Sequence, residues 1–195
     1  SWINSLFTAS SAVTITGLSV VNVGETFTVT GKIIIMLLIQ IGGLGFMTFA
    51  ILAALSLSTK LGLKQQIMAQ ETIGQTSLSK VSFTIKGVLL YSLFFEAIGT
   101  VILTIAWLED YNFNQALFYA AFYSVYAFNN GGFSLFPHSL MNFSGQSLIT
   151  LTISMLYIIG GTGFVVLMDI KRSKRWKGLS TNSKLILSTI AGLNL

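Results

Sequence analysis

Residues 120–136 read AAFYSVYAFNNGGFSLF: an apolar run, then two asparagines and two glycines, then apolar chain again. The first run is too short to cross a hydrocarbon core, which takes roughly 20 helical residues. A short helix that stops at a polar, glycine-rich turn is a candidate re-entrant loop. Non-helical backbone survives at membrane depth only where it lines a water-filled cavity. The same arrangement occurs earlier in the chain. Ser11-Ala-Val-Thr-Ile-Thr-Gly17 aligns with Tyr126-Ala-Phe-Asn-Asn-Gly-Gly132 at an offset of 132 − 17 = 115, and Leu6-Phe7 aligns with Ala121-Phe122 on that same offset. Downstream, Ile41-Gly-Gly-Leu-Gly-Phe46 aligns with Ile159-Gly-Gly-Thr-Gly-Phe164 at 159 − 41 = 118. Two motifs in the same order at nearly constant spacing define an internal repeat.

The rest of the chain gives that repeat a membrane setting. Of 195 residues, 53% are hydrophobic and only 9% charged, with a mean hydropathy of +0.77. A soluble domain carries about a quarter charged residues. The apolar runs are continuous and not alternating, which predicts helices and excludes a barrel. Three stretches are long enough to span: Ile33–Ser58, Gly87–Leu108 with Glu96 as its one charge, and Ser147–Met168. A fourth begins near Lys184. The two loop-bearing stretches are Trp2–Val21, ahead of the first span, and Phe113–Phe136, between the second and third.

The expected fold class is an all-α integral membrane protein built of repeated span–re-entrant pore loop–span units. The expected organisation has four parts. Residues 1–58 form a first repeat that lacks its leading span, and 59–82 a cytoplasmic linker. Residues 83–169 form a complete second repeat, and 170–195 a basic loop and the start of a third. Both ends are expected to be cuts within a larger protein. Two walls do not close a ring around a pore, so further copies are required.

Charge sets the orientation. Lys60, Lys64, Lys80 and Lys86 fall between the first two spans, and Lys171, Arg172, Lys174, Arg175, Lys177 and Lys184 follow the third. Three crossings put all of these on one side, and the positive-inside rule makes that side cytoplasmic. Glu25, Glu109, Asp110 and both loops then face outward. The net charge of +5 is thereby assigned to topology, and no nucleic-acid partner is expected. The basic loops could in addition dock a cytoplasmic partner or meet anionic headgroups. There is no cysteine and one histidine, His138, read as a surface residue of the outer loop. Disulfides, iron–sulfur clusters and Cys-ligated zinc are excluded.

A cation leaving water needs its hydration shell replaced by oxygens, and rings of backbone carbonyls do this without fixed charge. An extended loop with carbonyls turned to an axis asks for glycine. Thr14-Ile15-Thr16-Gly17 and Asn129-Asn130-Gly131-Gly132 have that character, each after a short helix whose C-terminal end carries partial negative charge toward the loop. Either tetrapeptide alone would be an ordinary turn; equivalent places in a repeat make them filter candidates. A carboxylate at mid-span is costly and must face a partner. Glu96 is read as an anchor for a loop's backbone amides, with an ion-coupling role as the alternative. The two Ile-Gly-Gly motifs are read as helix-packing surfaces.

TASSAVTITGLS, IQIGGLGFMTF, YAFNNGGFSLF and IIGGTGFVVL resemble the Trk/Ktr/HKT potassium transporter superfamily, and within it the Ktr membrane-subunit branch (KtrB). The resemblance covers essentially the whole chain. It implies four span–re-entrant pore loop–span repeats of the potassium-channel-like type around one pore per subunit. It also implies a homodimer in the lipid bilayer of the bacterial plasma membrane, on a cytoplasmic KtrA-like nucleotide-binding ring. Potassium would be the substrate, held at Thr14 to Gly17 and Asn129 to Gly132, with sodium as an activator. Nucleotide would bind only to the partner, and no covalently bound cofactor is implied. Plant relatives with serine at the first signature glycine favour sodium, so Gly17 supports potassium. The alternatives are a TrkH-type subunit and a membrane scaffold that does not transport. A membrane enzyme lacks its machinery here, because Glu96 stands alone and no HExxH is present.

Overall fold

A computed structural model describes residues 2–45, 78–137, 139–173 and 175–194. The later part of the first expected span (46–58), the linker up to residue 77 with Lys60 and Lys64, His138 and Lys174 lie outside the described residues. Every regular element among the described residues is helical.

Helix α1 (Trp2–Val13) leads into the first loop, and a single turn, α2 (Val23–Thr26), follows it. Helix α3 (Val29–Gly43) starts four residues ahead of the expected Ile33, because Thr28 caps it: its Oγ1 accepts from Gly31 N at 3.2 Å. Side-chain capping of this kind satisfies one of the orphan donors of a helix start. Helix α4 (Leu78–Trp107) runs 30 residues, well ahead of the expected Gly87. Its segment Lys86–Trp107 is long and apolar enough to cross a membrane. Helix α5 (Phe113–Phe128) opens on Asn112, whose Oδ1 accepts from Gln115 N at 3.1 Å, and it ends at the second loop.

The third expected span, Ser147–Met168, is two helices and not one. Helix α6 (Ser147–Thr162) stops at Gly163, which has φ +80° and donates its N–H to Gly160 O at 3.3 Å. The left-handed angle turns the chain out of the helical path, and α7 (Phe164–Ser173) restarts as a short amphipathic helix. Ser180 then caps α8 (Thr181–Asn194), its Oγ accepting from Ser183 N at 3.2 Å, while Asp169 Oδ2 accepts from Ser180 N at 2.8 Å. That pair ties the amphipathic α7 to the start of α8.

The core sits around α5. This helix packs on α4 and α6 and also touches α3, which in turn packs on α1. Ala116 and Ala120 are fully buried one turn apart and let α5 lie close, while Phe122 and Tyr123 fill the space beside them. Trp107 closes one end, its ring 5.4 Å from Tyr123, 5.9 Å from Phe136 and 5.7 Å from Phe143, all edge-on. The outward side of α4 carries Leu90, Leu93, Phe94, Val101 and Ile105, all exposed. So continuous an apolar face is stable only against lipid or another protein surface.

Candidate functional site: two glycine loops in contact

The loops that follow α1 and α5 repeat each other bond for bond. Thr14 N donates to Ser10 O at 3.0 Å, and Asn129 N to Val125 O at 3.1 Å. Ile15 N donates to Ala12 O at 3.3 Å, and Asn130 N to Ala127 O at 3.2 Å. Thr16 N donates to Ser11 O at 3.0 Å, and Gly131 N to Tyr126 O at 2.8 Å. Every pair is separated by 115 positions, the offset of the sequence repeat. The nested pattern is a Schellman helix end, which demands a left-handed residue just past the helix. Ile15 (φ 53°) and Asn130 (φ 56°) occupy that position. Asparagine takes it readily; a β-branched isoleucine is an outlier there and holds conformational strain.

Two residues further on, Gly17 (φ 75°) and Gly132 (φ 72°) are left-handed again, and here they touch. A Cβ on Gly17 would stand 2.7 Å from Gly132 Cα and 2.9 Å from Gly131 O; one on Gly132 would stand 2.7 Å from Gly17 Cα. Neither position has room for any side chain. The two loops are therefore adjacent and in contact backbone to backbone. A cavity of about 420 Å³ opens beside the contact, lined among others by Gly17, Ser19, Asn22, Gly132, Ser134 and Pro137.

Each loop exit is fastened to its own helix at equivalent places. Tyr123 Oη shares a hydrogen bond of 2.7 Å with Ser134 Oγ and accepts from Leu135 N at 3.1 Å and Phe136 N at 3.3 Å. In the first repeat Thr8 Oγ1 and Ser19 Oγ lie 3.5 Å apart. Both serines turn back on the chain: Ser19 Oγ donates to Val21 O at 2.6 Å and Ser134 Oγ to Phe136 O at 3.1 Å. The Ile-Gly-Gly motifs serve the other face of the same helix ends. A Cβ on Gly42 would run into Val13 O, and one on Gly160 into Phe128 O, each the terminal carbonyl of the loop-bearing helix. The glycines let α3 and α6 close on those ends.

Glu96 is 5% exposed in α4. Its Oε1 accepts from Asn129 Nδ2 at 3.1 Å, so it meets a side-chain amide of the second loop and not the backbone amides expected of it. The same Nδ2 faces Gln40 Oε1 at 3.0 Å and Val125 O at 2.9 Å. Glu96 O accepts from Ser124 Oγ and Thr100 Oγ1, both at 2.7 Å, which locks this turn of α4 onto α5. Thr14, the counterpart of Asn129, stays local: its Oγ1 bonds Ser10 O at 2.9 Å and Thr16 Oγ1 at 2.7 Å. Sequence reasoning missed Gln40, Tyr123 and the two loop serines. A lone amide in an apolar run just ahead of Gly42-Gly43 was the available signal for Gln40. Among the described residues no cluster of three or more His, Cys, Asp or Glu could hold a metal ion.

These features define a class: a membrane protein that is all-helical among the described residues, with left-handed glycines at the tips of two loops in contact. Residues 1–188 match the TrkH family, described as "Cation transport protein". The chain belongs to that family, one of ion transporters and not of enzymes. It is 45% identical over 194 residues to a Ktr system potassium uptake protein B of Bacillus subtilis, covering 100% of this chain and 44% of that protein. It is 42% identical over 172 residues to the protein of the same name in Vibrio alginolyticus, covering 88% of this chain and 38% of the relative. Against the potassium/sodium uptake protein NtpJ of Enterococcus hirae it is 33% identical over 190 residues, covering 97% and 42%. The chain thus spans less than half the length of the curated relatives it matches.

Proposed function

We propose that the transporter containing this chain takes up potassium across the bacterial plasma membrane. The ion passes a filter walled by the backbone of Thr14, Ile15, Thr16 and Gly17 and of Asn129, Asn130, Gly131 and Gly132. The observation that carries this reading is the contact between Gly17 and Gly132 at the tips of two loops with the same helix-end geometry. Neighbouring walls of one ring must be built alike and must meet. In this reading the loops re-enter the membrane from the outer side, and the helix ends at Val13 and Phe128 turn their carbonyl poles toward the cation. Dehydrated potassium is bound by carbonyls and leaves without a fixed charge to hold it. The basic segments stay in the cytoplasm. The remaining walls come from further repeats. The whole assembles as a dimer on a cytoplasmic nucleotide-binding ring, with sodium stimulating uptake.

The test is growth and uptake in a bacterium stripped of its own potassium uptake systems, expressing the full-length transporter or its Gly132→Ser variant. The wild type is expected to rescue growth at low potassium. The variant is expected to lose affinity and potassium-over-sodium preference. A variant indistinguishable from wild type would make the loops a packing scaffold.

A further inference from the structure

The second loop is held from two repeats at once. Asn129 opens that loop and is 7% exposed, with its amide turned into the helices. Its Nδ2 has two hydrogens and three oxygens within 3.1 Å: Gln40 Oε1 from α3, Glu96 Oε1 from α4 and Val125 O from its own helix. Gly43 makes the space, since a Cβ there would run into Asn129 Oδ1. Gln40 is 89 residues away in sequence and belongs to the other repeat.

Packing does not explain Gln40. Among the described residues its Nε2 makes no hydrogen bond of good geometry, although the Gln40 side chain also reaches the Glu96 carboxylate. A half-satisfied buried amide is costly, and an aliphatic side chain would suit the apolar α3 better. The corresponding position of the second repeat, 40 + 118 = 158, is indeed an isoleucine, Ile158. What Gln40 provides is an acceptor for Asn129. We propose that Gln40 and Glu96 are positioning residues for ion binding at the second loop. Gln40 acts across the repeat boundary, so the affinity of that wall is set in part by the first repeat. Neither residue touches the ion. Both fix Asn129, and Asn129 fixes where the backbone of Asn130 to Gly132 begins. The proposal rests on the filter reading above.

The experiment measures the KM and Vmax of potassium and sodium uptake by the full-length transporter carrying Gln40→Leu, Asn129→Leu, both together, or Gly132→Ser. Membrane abundance is measured beside each. Removing a group that orients a ligand-bearing element typically costs about tenfold or more in affinity. Each leucine variant is expected to raise the potassium KM about tenfold while Vmax and abundance stay within about twofold. The double variant should be no worse than either single one, because both remove the same brace. The proposal is overturned if Gly132→Ser changes KM while the leucine variants do not; the filter reading then stands without the brace. It is also overturned if the leucine variants lower abundance alone, or if their effects on KM multiply. A silent Gly132→Ser would instead remove the filter reading on which the proposal stands.

Discussion

Replacing Gly17 by alanine separates two costs that the structure places at one atom. The first is conformational. At φ +75° an L-residue pays about 1–2 kcal/mol for the left-handed backbone. The second is collision. The new methyl would lie 2.7 Å from Gly132 Cα, where carbon atoms settle at ~3.5–4.0 Å, so one loop must yield by roughly 1 Å. Overpacking on that scale costs ~1–3 kcal/mol. The sum is ~2–5 kcal/mol, delivered to the contact between the two loops. Gly163 provides the control, with φ +80° and nothing within 4 Å of a built Cβ. Gly163→Ala should therefore pay only the conformational part. The assay pairs thermal unfolding of the purified full-length transporter with the KM of potassium uptake. Gly163→Ala should lower the Tm by a few degrees and leave KM within about twofold, while Gly17→Ala should raise KM at least tenfold, ~1.4 kcal/mol of the sum. If Gly17→Ala leaves KM where it was, the two glycines are not in contact in the working protein and the loops do not bound one ion path.

Three further outcomes follow from the same geometry. Ile15→Asn places a residue tolerant of left-handed backbone at φ 53° and should stabilise the transporter by about 1 kcal/mol, read as a higher Tm. Gly42→Leu and Gly160→Leu should each cut the amount of folded protein in the membrane, because α3 and α6 can no longer close on Val13 O and Phe128 O; Gly145→Ala, with open space around it, should be silent in the same immunoblot. Tyr123→Phe strips the buried Leu135 N–H of its acceptor and should cost ~1–3 kcal/mol in denaturant or thermal unfolding, whereas Thr8→Val, which loses a 2.8 Å bond to Asn4 O within its own helix and the 3.5 Å contact with Ser19 but orphans no backbone N–H, should cost less than half as much.

The helices and both loops were legible because they are local. A run of apolar residues, an asparagine or threonine cap and a glycine pair each act within a few positions, and the offset of 115 brought Gly17 and Gly132 forward together. What escaped was whatever depends on a distant partner or on a single torsion. Ser147–Met168 reads as one apolar span, since hydropathy is blind to the backbone angle at Gly163 that ends α6. Gln40 looks like a stray amide until the loop of the other repeat arrives beside it. Glu96 could be recognised as needing a donor. No local pattern, however, distinguishes a loop backbone amide from the Nδ2 of Asn129. Ser19 and Ser134 look like ordinary turn residues, and their equivalence emerges only when Thr8 and Tyr123 are seen reaching them.

The unequal fastening of the loop exits has a consequence for motion. In the second repeat a phenol takes two backbone amides and a hydroxyl at once, and Phe136 stacks on its ring at 5.2 Å. In the first, a threonine and a serine stand at the edge of hydrogen-bonding distance, and Leu18 and Val20 beside them are exposed. Local opening draws on whatever is least tied down. The two loop exits should therefore open at different rates. Leu18 N still donates to Ser11 Oγ at 2.9 Å, so the difference is confined to the residues after it: in deuterated buffer the amides of Ser19 and Val20 will exchange while those of Leu135 and Phe136 still hold their protons.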